Sequence, residues 1–148
     1  MSKASDEITA FAALTSRLSA DTVNDICSLL KTDKHFKNTA AVLSEHLYEN
    51  FNDKLSAVRF INKYSIKTAQ YLILTKDCFS LDTEIIKNAV SEITNGAVYT
   101  LSQLDINGND LSLMGIKGKE ISEKLNMLLN KVILGEVPNS KEELKKLI

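Results

Sequence analysis

The fold is indicated near the end of the chain by the stretch Asn109-Asp110-Leu111-Ser112-Leu113-Met114-Gly115-Ile116-Lys117-Gly118-Lys119-Glu120-Ile121. Its two glycines would end one short helix and start a second within a few residues. Gly115 would adopt the left-handed conformation at the end of the first helix, because it has no Cβ to clash there. Asn107, Asn109 or Asp110 would supply the N-cap of that helix. The stretch therefore predicts a helical hairpin.

A phosphate site is the functional interpretation of this hairpin. Gly118 would let a ligand approach the backbone closely. The free amides at the start of the second helix, flanked by Lys117 and Lys119, would then attract an anion, as in hairpin motifs that grip nucleic-acid backbones. The alternative is that Gly115 and Gly118 only close a tight turn between packed helices, since connections of this length are ordinary in helical bundles.

The rest of the chain also predicts helices. Apolar residues recur at helical spacing in seven segments, and the five glycines and one proline avoid the interiors of these segments. The segments run from Ile8 to Leu18, Val23 to Leu30, Phe36 to Phe51, Leu55 to Tyr64, Ile66 to Leu74, Leu81 to Ile93 and Ile121 to Val132. N-caps are expected at Ser19 and Thr32. Pro138 would end the seventh helix, and Asn139-Ser140-Lys141-Glu142 resembles a capping box for a short last helix.

The predicted fold class is all-α, with a helical body domain over residues 1–100 followed by a helical-hairpin tail domain over residues 101–148. Turn residues at Asn95-Gly96 and Asn107-Gly108 mark an irregular connector between the two. A chain of 148 residues, 44% of them hydrophobic, is long enough for one domain or for two small, closely packed ones.

Positive charge is concentrated in one part of the chain, although the formal net charge is only −1. Residues 54–76 contain no acidic residue and hold the cations Lys54, Arg59, Lys63, Lys67 and Lys76 together with the rings of Phe60, Tyr64 and Tyr71. Cations for phosphates and rings for bases are the mixture that a nucleic-acid surface uses. Arg59, Lys63 and Lys67 would share a face of one continuous helix. The alternative is a solvated lysine face with its rings turned inward.

Several other classes of protein are not expected. Cys27 and Cys78 are too few for a disulfide framework, and each is interpreted as a small buried hydrophobe in a reducing compartment. His35 and His46 lack the spacing of a metal site and are interpreted as surface or capping residues. No apolar run is long enough to span a bilayer, and no signal-peptide pattern is present. We therefore expect a soluble, cytoplasmic protein without a membrane partner.

The hairpin stretch resembles the C-terminal tail of bacterial class II CCA-adding tRNA nucleotidyltransferases and their poly(A) polymerase relatives. The resemblance continues through Leu125, Leu128-Leu129 and Val132 to Gly135-Glu136-Val137-Pro138-Asn139 and Glu142-Glu143-Leu144. It departs from many relatives at Ser122, where they have glycine. The segments Phe11-Ala12-Ala13-Leu14, Ala57-Val58-Arg59-Phe60-Ile61 and Lys63-Tyr64 are similar to the family's body-domain helices. Together these matches place nearly the whole chain in the C-terminal half of that family.

The resemblance implies a function without chemistry in this chain. In that family a head domain adds C, C and A to the 3′ end of tRNA, using Mg²⁺ and CTP or ATP held by a Val-Arg-Asp motif and an Asp-x-Asp pair. Neither motif occurs in this sequence. The chain alone is therefore expected to be no enzyme and to need no cofactor, and its missing catalytic head domain would be a partner. The body and tail are implied to contact the acceptor arm and elbow of tRNA.

The residues expected to bind RNA are Arg59, Lys63, Lys67, Lys117, Gly118 and Lys119. The alternative function is a helical protein-interaction or dimerisation domain that does not bind RNA. Salt dependence separates the two, because phosphate contacts release counterions and apolar docking does not. The sequence leaves open the oligomeric state, and whether the whole enzyme adds CCA, CC, A or a poly(A) tract.

Overall fold

The computed structural model of the protein describes residues 3–148, with side chains from residue 7 onward. Residues 1 and 2, which begin the predicted body domain, lie outside the described residues. The described chain forms α1 (Lys3–Leu14), α2 (Ala20–Leu29), α3 (Lys34–His46), α4 (Lys54–Tyr64), α5 (Ile66–Cys78), α6 (Glu84–Thr94), a 3-10 turn (Leu101–Gln103), α7 (Gly108–Leu113), α8 (Lys119–Ile133) and α9 (Lys141–Lys145). No strand occurs in this range, so the all-α prediction is confirmed.

One hydrophobic core runs through most of the helices. Helix α5 packs against α1, α3, α4 and α6, while α8 contacts α4 and the 3-10 turn. The core includes Leu43 of α3, Leu72 of α5, Ile86 of α6, Leu128 of α8 and Leu144 of α9, all fully buried. Residues 7–100 and 101–148 therefore share a core, and the division into two domains stays a prediction.

The predicted apolar stripes are wrong at the ends of the first two helices. Leu14 is 85% exposed, and Leu18 and Leu30 are exposed as well. Leu14 is the last residue of α1, while Leu18 and Leu30 lie beyond the ends of α1 and α2, so helical spacing no longer directs these side chains to the core. Cys78 is also exposed, in contrast to the buried Cys27, because it lies in the last turn of α5.

The N-caps follow the sequence in most helices. Ser19 caps α2, as predicted, by accepting from the amide of Thr22 at 3.2 Å. The prediction for α3 is wrong by one residue, because Asp33 accepts from the amide of Phe36 at 2.9 Å. The Thr32 hydroxyl instead donates back to the Cys27 carbonyl, which closes the end of α2.

The helical hairpin is formed by α7 and α8. Asn107 caps α7 and forms a reciprocal capping box with Asp110. At the other end of α7 the main-chain amide of Ile116 donates to the Leu111 carbonyl at 3.1 Å. Of the two hydrogen bonds of a Schellman turn, this is the one that spans more residues. Gly115 has φ +93° and Gly118 has φ +61°, conformations that favour glycine, so the predicted turn is confirmed.

The end of the chain is fastened to the connector and to the hairpin. Asn139 accepts from the amide of Asp105 at 3.0 Å and donates to the Gln103 carbonyl at 2.9 Å. Lys141 forms an ion pair with Asp110 at 2.6 Å, and this contact holds the pKa of the Asp110 carboxyl below its usual range. Helix α8 ends at Ile133, ahead of the predicted stop at Pro138, because the chain reverses at Gly135 with φ +74°.

A strained serine separates α4 from α5, where the two apolar segments of the sequence also meet, so Arg59, Lys63 and Lys67 do not share one continuous helix. Ser65 has φ +96° and ψ 157°, a backbone region that residues other than glycine rarely occupy. Its amide donates to the Ile61 carbonyl at 2.8 Å, and its hydroxyl accepts from the amide of Thr68 at 3.2 Å. One residue therefore ends the first helix and caps the second.

Two substitutions at Ser65 separate strain from capping. Ser65→Gly is expected to raise the free energy of unfolding by about 1 kcal/mol, because relief of about 1–3 kcal/mol of strain outweighs the added chain entropy of about 0.5–1 kcal/mol and a few tenths for the cap. Ser65→Ala keeps the strain and loses the cap, so it should lower that free energy by about 1 kcal/mol. Urea unfolding measures both, and a glycine variant less stable than the alanine variant would contradict the strained backbone.

Candidate nucleic-acid interface

Three cations form what we call the basic surface, namely Arg59 and Lys63 of α4 and Lys67 of α5. All three are exposed, and no acidic side chain among the described residues lies within ion-pair distance of them. Lys54, at the start of α4, is instead paired with Glu92 of α6. The basic surface therefore presents three exposed cations that form no ion pair with a described side chain.

Lys76 does not belong to the basic surface, although the sequence groups it there. It is 1% exposed, its ammonium donates to the Glu49 carbonyl at 2.6 Å, and it lies 5.9 Å from the centre of the Phe51 ring. Burial lowers the pKa of Lys76, while the charges of Glu49 and Asp82 oppose this shift. Its place on the enclosed helix α5 explains the burial.

The aromatic residues of this segment face different ways. Phe60 and Tyr71 are buried in the core, so they are not available to stack on bases. Tyr64 is half-buried, and the Lys63 ammonium rests 4.7 Å from the centre of its ring. The interaction with the Tyr64 hydroxyl, followed by the charges of Glu45 and Glu49, raises the pKa of Lys63. Lys63 thus stays protonated on an aromatic platform.

Three surface depressions are lined by both Lys63 and Tyr64, and two of them include another cation of the basic surface. One, of about 590 Å³, is lined by Ile61, Asn62, Lys63, Tyr64, Ser65, Ile66, Lys67, Tyr99 and Thr100. The side-chain amide of Asn62 donates to the Tyr99 carbonyl at 2.7 Å and so holds the connector along this depression. The other, of about 290 Å³, is lined by His46, Glu49, Phe51, Ser56, Arg59, Phe60, Lys63 and Tyr64. Lys63 and Lys67 therefore share one concavity, and Arg59 and Lys63 share the next.

Sequence reasoning missed His46 and Glu49. The His46 side chain is 14% exposed and lies in the last turn of α3, so it is more enclosed than a surface histidine. Its Nδ1 contacts the Glu49 carboxylate, and its Nε2 lies 3.1 Å from the Tyr64 hydroxyl. The spacing of His46 and Glu49 at the end of α3 is the only local signal, because Tyr64 comes from a different helix.

The hairpin offers a second, separate group of predicted residues. Lys117, Gly118 and Lys119 are all exposed, and Lys119 is 3.5 Å from Glu123 one turn along α8. A Cβ at Gly118 would meet no atom within 4 Å, so the backbone there is open to a ligand. The amide of Lys119 has no acceptor among the described residues. None of the depressions at the basic surface is lined by hairpin residues.

The chain is thus an all-α protein with two exposed cationic regions on its surface. The chain belongs to the family described as tRNA nucleotidyltransferase domain 2, putative, whose model matches residues 2–148. This domain is the C-terminal body region of tRNA nucleotidyltransferases, and the resemblance to these enzymes is thereby confirmed. No curated protein and no solved structure matches the chain.

None of the helices between residues 3 and 148 has the length and apolar character needed to cross a membrane. Among residues 7–148, whose side chains are described, no three His, Cys, Asp or Glu side chains form a group that could hold a metal ion.

The burial of Lys76 predicts a pH dependence of stability. Because its folded pKa lies below that of the unfolded chain, the unfolded state binds more protons between these two values. The wild type should therefore gain stability relative to Lys76→Met as pH rises from neutral towards about 10. Urea unfolding of both proteins across this range measures the difference. A difference independent of pH would show that the ammonium is solvated.

Proposed function

We propose that this chain is the RNA-binding C-terminal region of a CCA-adding or poly(A)-adding enzyme. In this role it positions tRNA for 3′-end nucleotide addition by a catalytic head domain outside the sequence described here. The observation that carries the proposal is the family match over residues 2–148. The exposure of all six predicted RNA-binding residues supports it.

The two cationic regions would hold the RNA at separate places. Arg59, Lys63 and Lys67 would neutralise phosphates in the two depressions, where none of the three cations forms an ion pair within the described part of the chain. Lys117 and Lys119 would flank a phosphate brought close to the open backbone at Gly118. Such contacts read the shape of a folded RNA, because phosphates carry no base identity. We infer that they fall on the acceptor arm and elbow of tRNA.

The chemistry would belong to the head domain. Nucleotide addition needs Mg²⁺ with CTP or ATP, which the head domain would bind. In this proposal the head domain contributes the reaction and the chain contributes RNA binding. Its place of action would be the cytoplasm, where it would meet tRNA.

A second function, docking of a protein partner, is favoured by exposed leucines. Leu113 at the tip of the hairpin is 88% exposed, and Leu14 and Leu29 are nearly as open. Apolar docking through these residues would be insensitive to salt, whereas phosphate binding weakens steeply as salt is added. The salt dependence of RNA binding therefore decides which function the surface serves.

The purified chain should bind tRNA in a salt-sensitive way and should incorporate no nucleotide from CTP or ATP with Mg²⁺. Binding should favour folded tRNA over a single-stranded RNA of equal length, because a helical surface gains little from unpaired bases. Filter binding with both RNAs and incorporation of radiolabelled CTP measure these properties. Equal affinity for the two RNAs would leave only nonspecific electrostatics, and measurable incorporation would contradict the assignment.

Two pairs of substitutions test the two regions separately. Lys117→Ala with Lys119→Ala should flatten the dependence of log Kd on log salt by up to about two units, roughly one for each lost phosphate contact. Arg59→Glu with Lys63→Glu should weaken tRNA binding while the melting temperature stays within a few degrees, since exposed charges contribute little to stability.

The matched control is Lys87→Ala with Lys146→Ala. These lysines are already paired with Asp77 at 2.9 Å and with Glu143 at 2.5 Å, so we expect the salt slope of this variant to equal that of the wild type. A slope that drops equally in the control and the hairpin variant would show that only total charge matters. If the variant with Arg59→Glu and Lys63→Glu unfolds, Arg59 and Lys63 belong instead to the contacts that stabilise the fold.

A further inference from the structure

A chain of hydrogen bonds lies beside the basic surface. The Glu49 carboxylate contacts His46 Nδ1, His46 Nε2 lies 3.1 Å from the Tyr64 hydroxyl, and the Tyr64 ring carries the Lys63 ammonium at 4.7 Å. The ring of His46 is also held edge-on by Phe60 and Tyr64, each 5.2 Å away between centroids. Both nitrogens of His46 are therefore engaged, and its ring has a fixed orientation.

Charged side chains from three helices surround the hydrogen-bonded residues Glu49, His46 and Tyr64. Glu45 of α3 lies 4.0 Å from His46 Nε2. Arg59 and Lys63 of α4 line the same depression as His46 and Glu49. The buried Lys76 of α5 donates to the Glu49 main-chain carbonyl and not to its carboxylate. The Glu49 carboxylate thus brings negative charge into a depression that the basic surface otherwise makes positive.

We propose that His46 and Glu49 are positioning residues of the basic surface, and that uptake of a proton by His46 increases the affinity of this surface for RNA phosphates. The inference rests on the RNA binding proposed above and adds regulation at the same site. Its basis is the juxtaposition of a histidine, a carboxylate and two cations in one concavity. Histidine is the side chain whose ordinary titration falls between about pH 5 and about pH 8.

The direction follows from the hydrogen-bond partners. A carboxylate only accepts, so in neutral His46 the proton is on Nδ1 and Nε2 accepts from the Tyr64 hydroxyl. A second proton, on Nε2, reverses that bond, and the Tyr64 hydroxyl becomes free to donate outward. At the same time the charge of the Glu49–His46 pair changes from −1 to zero. A phosphate near Arg59 and Lys63 then meets no net negative charge from this pair, and it gains a possible hydroxyl donor.

The experiment measures the affinity of the whole chain for fluorescently labelled tRNA at constant ionic strength, from about pH 8 down to about pH 5.5. For the wild type we expect Kd to fall by about threefold to tenfold over this range. His46→Gln should remove most of that change. Glu49→Gln should bind at about pH 8 nearly as tightly as the wild type does at the acidic end. Weaker binding by Glu49→Gln at every pH would overturn the proposal.

His35→Gln is the matched control. His35 is exposed and lines a neighbouring depression with Lys63 and Tyr64, but no ion pair or hydrogen bond is formed by its side chain in the described chain. We expect this variant to keep the pH dependence of the wild type. If His35→Gln loses that dependence while His46→Gln retains it, the hydrogen-bonded chain plays no part and the inference is wrong.

A measurement on the wild type covers the case in which His46→Gln fails to fold. The ring signals of the two histidines are titrated by NMR with and without saturating tRNA. Because binding and protonation are linked, the titration midpoint of His46 should move to higher pH in the complex. An unchanged midpoint, with tRNA bound, overturns this inference alone. Absence of tRNA binding at every pH would overturn the proposed function together with it.

Discussion

The enclosure of α5 by four other helices is the constraint on which the rest of the structure depends. Helices α1, α3, α4 and α6 all pack on it, and its buried residues lie on more than one face. Polar groups on such a helix must find partners inside the protein. The Thr75 hydroxyl therefore donates back to Tyr71, and the Lys76 ammonium reaches the Glu49 carbonyl. The position of α5 in turn fixes Ser65 and Lys67 at its start.

Local chemistry made much of the fold predictable from sequence. The seven long helices follow from apolar spacing, and the hairpin follows from Asn107, Gly115 and Gly118, whose roles depend only on neighbours within a turn or two. Apolar spacing also separates α4 from α5, but the positive φ of Ser65 could not be predicted in this way, since no glycine marks that position. The burial of Lys76 depends on segments distant in sequence, and the same is true of the contact between His46 and Tyr64.

In the candidate site, too, local sequence predicts some features and tertiary packing determines the others. Exposure of Arg59 and Lys67 agrees with their positions opposite the apolar face, which the sequence reveals directly. Their arrangement in two concavities depends on the break between α4 and α5, which places Lys67 on a different helix from Arg59 and Lys63. A basic segment in a sequence thus indicates which residues are cationic, whereas tertiary packing decides which of them act together.

The contacts made by the end of the chain restrict the position of the hairpin. Asn139 clasps the connector at both Gln103 and Asp105, Lys141 holds Asp110 of α7, and α8 contacts α4. The hairpin is therefore tied to the connector and to α9, and α8 packs on the helix that carries Arg59 and Lys63. These contacts limit how far the two cationic regions can move relative to each other, so a rigid ligand that touched both would have to match the distance between them.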